Sequence, residues 1–430
     1  MPRTVHIIGA GLAGLAAAVK LAPSLGAGVV VHEATAYPGG RCRSYFDRTI
    51  GMTIDNGNHL VLSGNRSVVG FAESIGSAAH LVGPRQAEFA FVDLASDERW
   101  TLRMNDGLPW WVFDKKRRVP GTSLGEYLRL VKLLRVAADA PVGDAIDCSG
   151  PLYHRLVHPL LLAALNIEPR LGSAALASAV VRETLAAGGQ ACRPLIAHDG
   201  LGPTFIEPAL KYLRERNTEV RLDHELRALR FAEGRIAALD FGAETATLGA
   251  GDAVILAVPH YAAGVLVPEL QVPQGHRAIA NAHFRIEVPP NLPPMLGVIN
   301  GTTVWIFAFA GRLSVTISNA DRLMDVPRAM LAQTIWREVS RATGIAAELP
   351  PWQIVRERRA TFAATPEENA NRPGARTPWD NLVLAGDWTM QRAPRLPPAL
   401  REHSAVCSPR SLTYDLPSLF VGSEVRDACA

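Results

Sequence analysis

The chain has 430 residues, 48% of them hydrophobic and 20% charged, with 36 Gly and 31 Pro. At roughly 100–200 residues per domain, that length allows two or three domains and a core that needs no disulfide staples, and the composition excludes wholesale disorder and fibrous repeats. The 44 basic and 41 acidic residues leave a net charge of only +3, spread along the chain, which argues against a nucleic-acid partner.

Val5 to Ile8 is a short β-branched run suited to a buried parallel strand, Leu12 to Leu21 is Ala- and Leu-rich and predicts a helix, and Val29 to His32 predicts a second strand. Together they make a βαβ unit closed by Glu33 and the Pro38-Gly39-Gly40 turn. The glycines at 9, 11 and 14 make the first 22 residues read as folded structure rather than a secretion signal. Leu124 to Ala138, Tyr153 to Leu165 and Gly172 to Ala187 predict an inserted helical region. Strand-like texture returns from Glu219, through Arg235 to Phe241 and Ala253 to Val258. Asn300 to Phe309 and Leu313 to Ser318 predict a second sheet, Ala329 to Thr343 a helix, and Asn381 to Ala385 a last short buried strand. No apolar run is long enough to span a bilayer. Cys42, Cys148, Cys192, Cys407 and Cys429 contain no C-x-x-C pair, a usage that points to a reducing cytoplasm and to no metal site.

Gly9, Gly11 and Gly14 form G-x-G-x-x-G between a strand and a helix. In that setting the first glycine permits the turn, the second admits a pyrophosphate, and the third lets helix and strand pack closely. The helix N-terminus then faces the phosphates. Glu33 follows Gly14 by 19 residues, where a carboxylate accepts hydrogen bonds from an adenosine ribose. NAD and FAD share this fingerprint. The pair Gly39-Gly40 followed by Arg41 and Arg43 adds a second loop suited to the pyrophosphate, an extension familiar in flavoenzymes.

From Val5 to Ser44 the chain resembles the flavin-binding half of the amine oxidase and phytoene desaturase superfamily. The loop Asp55-Asn56-Gly57-Asn58-His59 and the stretch NLVLAGDWT from Asn381 to Thr389 extend the likeness. Within that superfamily the segments DNGNHLVLSGN (Asp55 to Asn65), HPLLLAALN (His158 to Asn166) and RERRATFAATPEENANRP (Arg356 to Pro373) are similar to the squalene-associated FAD-dependent desaturases, the hydroxysqualene dehydroxylase family of bacterial hopanoid pathways. The resemblance covers about residues 4 to 389. It implies FAD as cofactor, a ribityl and phosphate contact for Gly386-Asp387, and reductive dehydroxylation of hydroxysqualene to squalene. Carotenoid desaturation and amine oxidation are the alternative activities. The family's usual helix after GDWT is missing from Met390 onward. That abrupt departure is the pattern of a reading-frame change, and a flavin-free member acting as a scaffold is the corresponding non-enzymatic alternative.

The resulting expectation is an α/β chain with a Rossmann-like FAD-binding domain (1–62, 200–262 and 352–389), an interleaved α+β substrate domain (63–199 and 263–351) and an atypical tail (390–430). Expected cofactor residues are Gly9, Gly11, Gly14, Glu33, Gly40, Arg41, Gly386 and Asp387. His59 and Asp55 are the candidates for the proton donor that a departing hydroxyl requires, each weighed against a purely structural role. Leu156, Leu160, Leu161 and Leu165, with Trp305, Phe307 and Phe309, are candidates to line a hydrocarbon tunnel, against ordinary core. The run Trp110, Trp111, Phe113 and Lys115 to Arg118 suits a membrane interface or a solvated loop. The expected partners are a long-chain isoprenoid, the inner face of the cytoplasmic membrane and other squalene-pathway enzymes, with no nucleic acid.

Overall fold

The computed structural model describes residues 4–136 and 139–390. The expectations for the tail, with Cys407 and Cys429, lie outside the described residues from 391 onward, as do positions 137 and 138 of the helix expected at 124–138.

The βαβ unit forms as the pattern predicts: strand β1 (Val5–Ile8), helix α1 (Leu12–Leu25) and strand β2 (Val29–His32). β1 and β2 run parallel and join Glu219–Arg221, Ala253–Leu256 and Leu382–Leu384 in a five-stranded parallel sheet. Its order is Glu219–Arg221, β2, β1, Ala253–Leu256, Leu382–Leu384. The runs VVVH, AVIL and LVL are buried at every residue, the last of them at the edge of the sheet. Helices on the faces of a parallel sheet require that pattern. Removing such a side chain from water contributes about 1.5–3 kcal/mol.

His32 closes β2 among polar neighbours. Its ring nitrogens lie 3.1 Å from His6 and 2.9 Å from His224, and His224 reaches Glu244 at 2.9 Å. Burial first, then its two histidine neighbours, pushes the His32 imidazole down to about 3, so it stays neutral beside Glu33.

The second sheet has seven strands, in the order Trp352–Phe362, His276–Arg285, Arg312–Ile317, Trp305–Phe309, Met295–Ile299, Glu88–Asp93, Arg99–Arg103. Its pairs are antiparallel except Met295–Ile299 with Glu88–Asp93. The sheet is larger than expected. Trp352–Phe362 pairs along His276–Arg285 and not with the parallel sheet.

The helical region is also reshaped. Leu124–Leu130 tightens into a 3₁₀ turn at Val131–Arg135, a wide π-type turn at Tyr153–Val157 leads into His158–Leu165, and the Ala-rich helix is confined to Ala174–Glu183. These helices and the seven-stranded sheet share one apolar core, whereas α1 and much of the parallel sheet anchor another.

Candidate functional site

Because all five strands of the first sheet run the same way, their carboxyl ends collect at one edge, where ligands of open α/β sheets bind. Ladder bonds continue past the strands there: Gly9 donates to His32, Ala257 to Ile8 and Ala385 to Leu256. The Gly9–Gly11 turn follows β1, and a Cβ on Gly14 would sit 1.9 Å from the Gly9 carbonyl oxygen, so only glycine lets α1 start this close to the turn. The Ala10 amide donates to Glu33 Oε2 at 2.8 Å, and Thr35 donates to Oε1 through both its amide and its hydroxyl. Glu33 is thereby fixed at the end of β2. The second glycine turn closes on the first, with Gly39 donating to Ala10 at 2.8 Å and bridging Gly11. Gly40 follows, 3.5 Å from the Gly11 Cα as measured from an added Cβ.

Arg41 extends from this turn to Asp387, with Nη1 donating to Oδ2 at 3.0 Å and Nη2 to Oδ1 at 2.9 Å. It also donates to the Ala360 carbonyl. Asp387 is almost fully buried, and about a third of the Arg41 side chain remains exposed. Burial acts to raise the Asp387 carboxyl, but the bidentate Arg41 outweighs it and holds the group below the usual carboxylate range. The Gly386-Asp387 turn is itself pinned: Trp388 donates its indole N–H to the Val258 carbonyl at 2.9 Å, and Arg372 donates to the carbonyls of Asp387 and Thr389.

Gly9, Gly11, Gly14, Glu33, Gly40, Arg41, Gly386 and Asp387 therefore surround one sheet edge. These residues fit FAD. No side chain caps the N-terminus of α1, and nothing lies within 4 Å of a Cβ added at Gly11, so the first-turn N–H groups face open space of the kind a pyrophosphate fills. Glu33 places a carboxylate at the end of β2, the position from which such a group accepts from an adenosine ribose in dinucleotide-binding folds.

Arg41 and Ala360 also border a cavity of about 750 Å³, counting its open mouth. Ala163, Ile279, Trp305 and Phe307 form its apolar wall, and the Asn56 to Leu60 loop forms another side. Two side chains there can carry a proton, His59 and Glu357. The loop is tethered to the seven-stranded sheet. Asn58 donates to Thr316 at 3.2 Å, Thr316 to Asn281 Oδ1 at 2.8 Å, and Asn281 to the Asn56 carbonyl at 3.4 Å.

Asp55 lies behind that loop, not in the cavity lining. Its carboxylate accepts from Ser44 Oγ at 2.5 Å and the Leu201 amide at 2.8 Å, and it pairs with buried Arg312 at 3.4 Å. The geometry thus favours the structural role over the proton donor for Asp55. Removing one partner of a buried ion pair costs about 3–5 kcal/mol. Asp55→Asn is accordingly expected to lower stability by an amount of that order, measured by denaturant unfolding, with turnover per flavin-loaded molecule little changed.

The tunnel candidates divide as well. Trp305 and Phe307 line the cavity, whereas Leu156, Leu161 and Leu165 are buried core, Leu160 packs partly buried against it, and Phe309 stacks under Arg312. Sequence reasoning missed Glu357, Asn281 and Thr316. The signal available was the charged run around Glu357 inside a strand that is otherwise rich in β-formers. Among the described residues no group of His, Cys, Asp and Glu is arranged to hold a metal.

Comparison with known proteins agrees with this geometry. The flavin containing amine oxidoreductase family model matches residues 12–396. A hydroxysqualene dehydroxylase of Rhodopseudomonas palustris is 59% identical over 391 residues, 90% of this chain and 93% of that protein. One from Sinorhizobium fredii is 56% identical over 395 residues, covering 92% and 94%. Among solved structures, cyclohexylamine oxidase from Brevibacterium oxydans superposes with a TM-score of 0.66 at 16% identity over 98% of this chain and 99% of that one, a likeness of fold. The chain belongs to the hydroxysqualene dehydroxylase family of flavin containing amine oxidoreductases.

Proposed function

We propose that this chain removes the hydroxyl group of hydroxysqualene reductively and releases squalene. The observation that carries the reading is the junction at Arg41. The same residue closes the flavin cradle through Asp387 and borders an apolar cavity that holds His59 and Glu357.

Bound and reduced, FAD supplies the hydride that replaces the lost hydroxyl. The protein's own tasks are to deliver a proton to the hydroxyl oxygen, so that it leaves as water, and to keep bulk water from the allylic cation left behind. His59 lines the cavity and is the residue assigned to the proton transfer, with Glu357 beside Arg41 as the second group able to carry one. Trp305, Phe307, Ile279 and Ala163 present the hydrocarbon with apolar walls and limit access of water. Gly9, Gly11, Gly14 and Gly40 serve the phosphates, Glu33 the adenosine ribose, and Asp387 the ribityl end, with Gly386 shaping its turn.

Glu357 is the one feature that favours amine oxidation, since an ammonium substrate seeks a carboxylate. The adjoining Arg41 guanidinium offsets that attraction. An anaerobic single-turnover assay separates the readings. Chemically reduced holoenzyme mixed with hydroxysqualene is expected to yield one squalene per flavin, and oxidised holoenzyme is expected to leave phytoene and simple amines unchanged. Squalene absent while either of those is consumed would overturn the proposal.

Substrate and product are both insoluble in water. Peripheral contact with the cytoplasmic membrane and association with enzymes that make or use squalene are therefore part of this reading. No helix among the described residues is long and apolar enough to cross a membrane.

A further inference from the structure

Exposed large apolar side chains are unevenly placed. Of the fourteen among the described residues, five fall between 108 and 131: Leu108, Trp110, Phe113, Leu128 and Val131. Trp110 is 65% and Leu108 67% exposed. They rim a shallow apolar groove of about 890 Å³, counting the open space above it, floored by Trp111, Tyr127 and Leu185. Trp111 is buried with its ring edge-on to Tyr127, so the floor is rigid while Trp110 and Phe113 stand out from it.

Charge surrounds the same patch. Residues 106–135 carry seven Lys and Arg against three Asp and Glu, a local surplus larger than the +3 of the entire chain. Lys115, Lys116 and Arg117 follow Phe113 after Asp114, and Arg129, Lys132 and Arg135 alternate with Leu128 and Val131 on the neighbouring helix; all six are exposed. The acids reduce the seven positive charges to a surplus of four and do not remove it, although Asp114 pairs with Arg117 at 3.6 Å. Glu126 is occupied in capping that helix through Ser123, and Asp114 folds back onto the Lys116 amide.

We infer that this surface docks on an anionic lipid bilayer, with Trp110, Phe113 and Leu108 in the headgroup region and the basic ring on the lipid phosphates. Aromatic side chains with an apolar body and a polar edge favour that boundary, and each Lys or Arg near it adds attraction to anionic lipid. The inference extends the proposed function to the route by which a water-insoluble substrate arrives, and its test separates the two.

Full-length holoenzyme is floated with vesicles of phosphatidylcholine, alone or mixed with phosphatidylglycerol. Binding is expected only with the anionic lipid. The variant K115Q/K116Q/R117Q/R118Q is expected to bind roughly a hundredfold more weakly, and W110S/F113S roughly tenfold more weakly. Both are expected to keep the flavin spectrum and the turnover seen in detergent micelles, and to lose turnover from vesicles. Wild-type protein that ignores both vesicle types, variants that float like wild type, or a patch whose substitution abolishes self-association in sedimentation instead would each overturn the docking surface. Loss of micellar turnover in the wild type, with flotation as expected, would count against the proposed reaction alone.

Discussion

His59→Ala is expected to retain FAD and to lower turnover of hydroxysqualene by about 10²–10⁴-fold, the usual contribution of a positioned proton donor. The substitution removes a half-buried side chain from the cavity lining and leaves the Arg41–Asp387 pair untouched. The flavin spectrum therefore serves as an internal control. Glu357→Gln tests the second group: a carboxamide keeps the shape of the side chain but cannot donate its proton. If the large loss appears in Glu357→Gln and not in His59→Ala, the roles are exchanged. If neither variant slows the reaction under single-turnover conditions, the proton comes from elsewhere and the assignment fails.

Asp387→Ala is expected to produce protein that loses its visible flavin bands on gel filtration, with affinity for FAD reduced at least roughly tenfold to a hundredfold, as the loss of a charge-assisted hydrogen bond would give. The variant also leaves Arg41 with the Ala360 carbonyl as hydrogen-bond acceptor and Glu357 as the neighbouring carboxylate. The same pair sets an acid limit. The Asp387 carboxyl is depressed in the folded protein, so its contribution is complete above the ordinary aspartate range of about 4. That contribution disappears as pH falls through the lower folded value. Flavin release monitored against pH is expected to begin below about 4 in the wild type and to lack that step in Asp387→Ala. Wild-type protein that is colourless and cannot be reconstituted would instead support the flavin-free scaffold.

The cofactor cradle was legible because its chemistry is local. Gly9, Gly11, Gly14 and Glu33 fall within one βαβ unit, where chain spacing and spatial spacing coincide. Gly386 and Asp387 are distant in sequence, and only the resemblance of NLVLAGDWT to a family motif pointed to them. The cavity was less legible. Asn281 and Thr316 sit on strands that pair only after long excursions of the chain, and their polar side chains interrupt the alternation that normally reveals a strand. His276–Arg285 buries Asn281 and His283 among alanines, and a bulge near Arg277 shifts its register. Around Glu357 the strand Trp352–Phe362 carries charges at consecutive positions, so it reads as surface although one stretch borders the cavity. Asp55 shows the converse. Its motif sits beside the cavity loop, but whether a carboxylate faces substrate or an arginine from another strand is decided by packing that spacing does not encode.

The order of the parallel sheet has a consequence for biosynthesis. β1 and β2 are made first, but the sheet they anchor is completed by Leu382–Leu384, contributed from near the far end of the described chain. At about 5–20 residues per second, roughly 20–75 s separate Ile8 from Leu382 on the ribosome. During that interval the Ala253–Leu256 strand, once made, has an unpaired edge, and Arg41 lacks Asp387. The nascent protein thus carries half a cradle with an exposed apolar strand edge, and flavin loading waits for Leu382–Leu384 and Asp387 to be made.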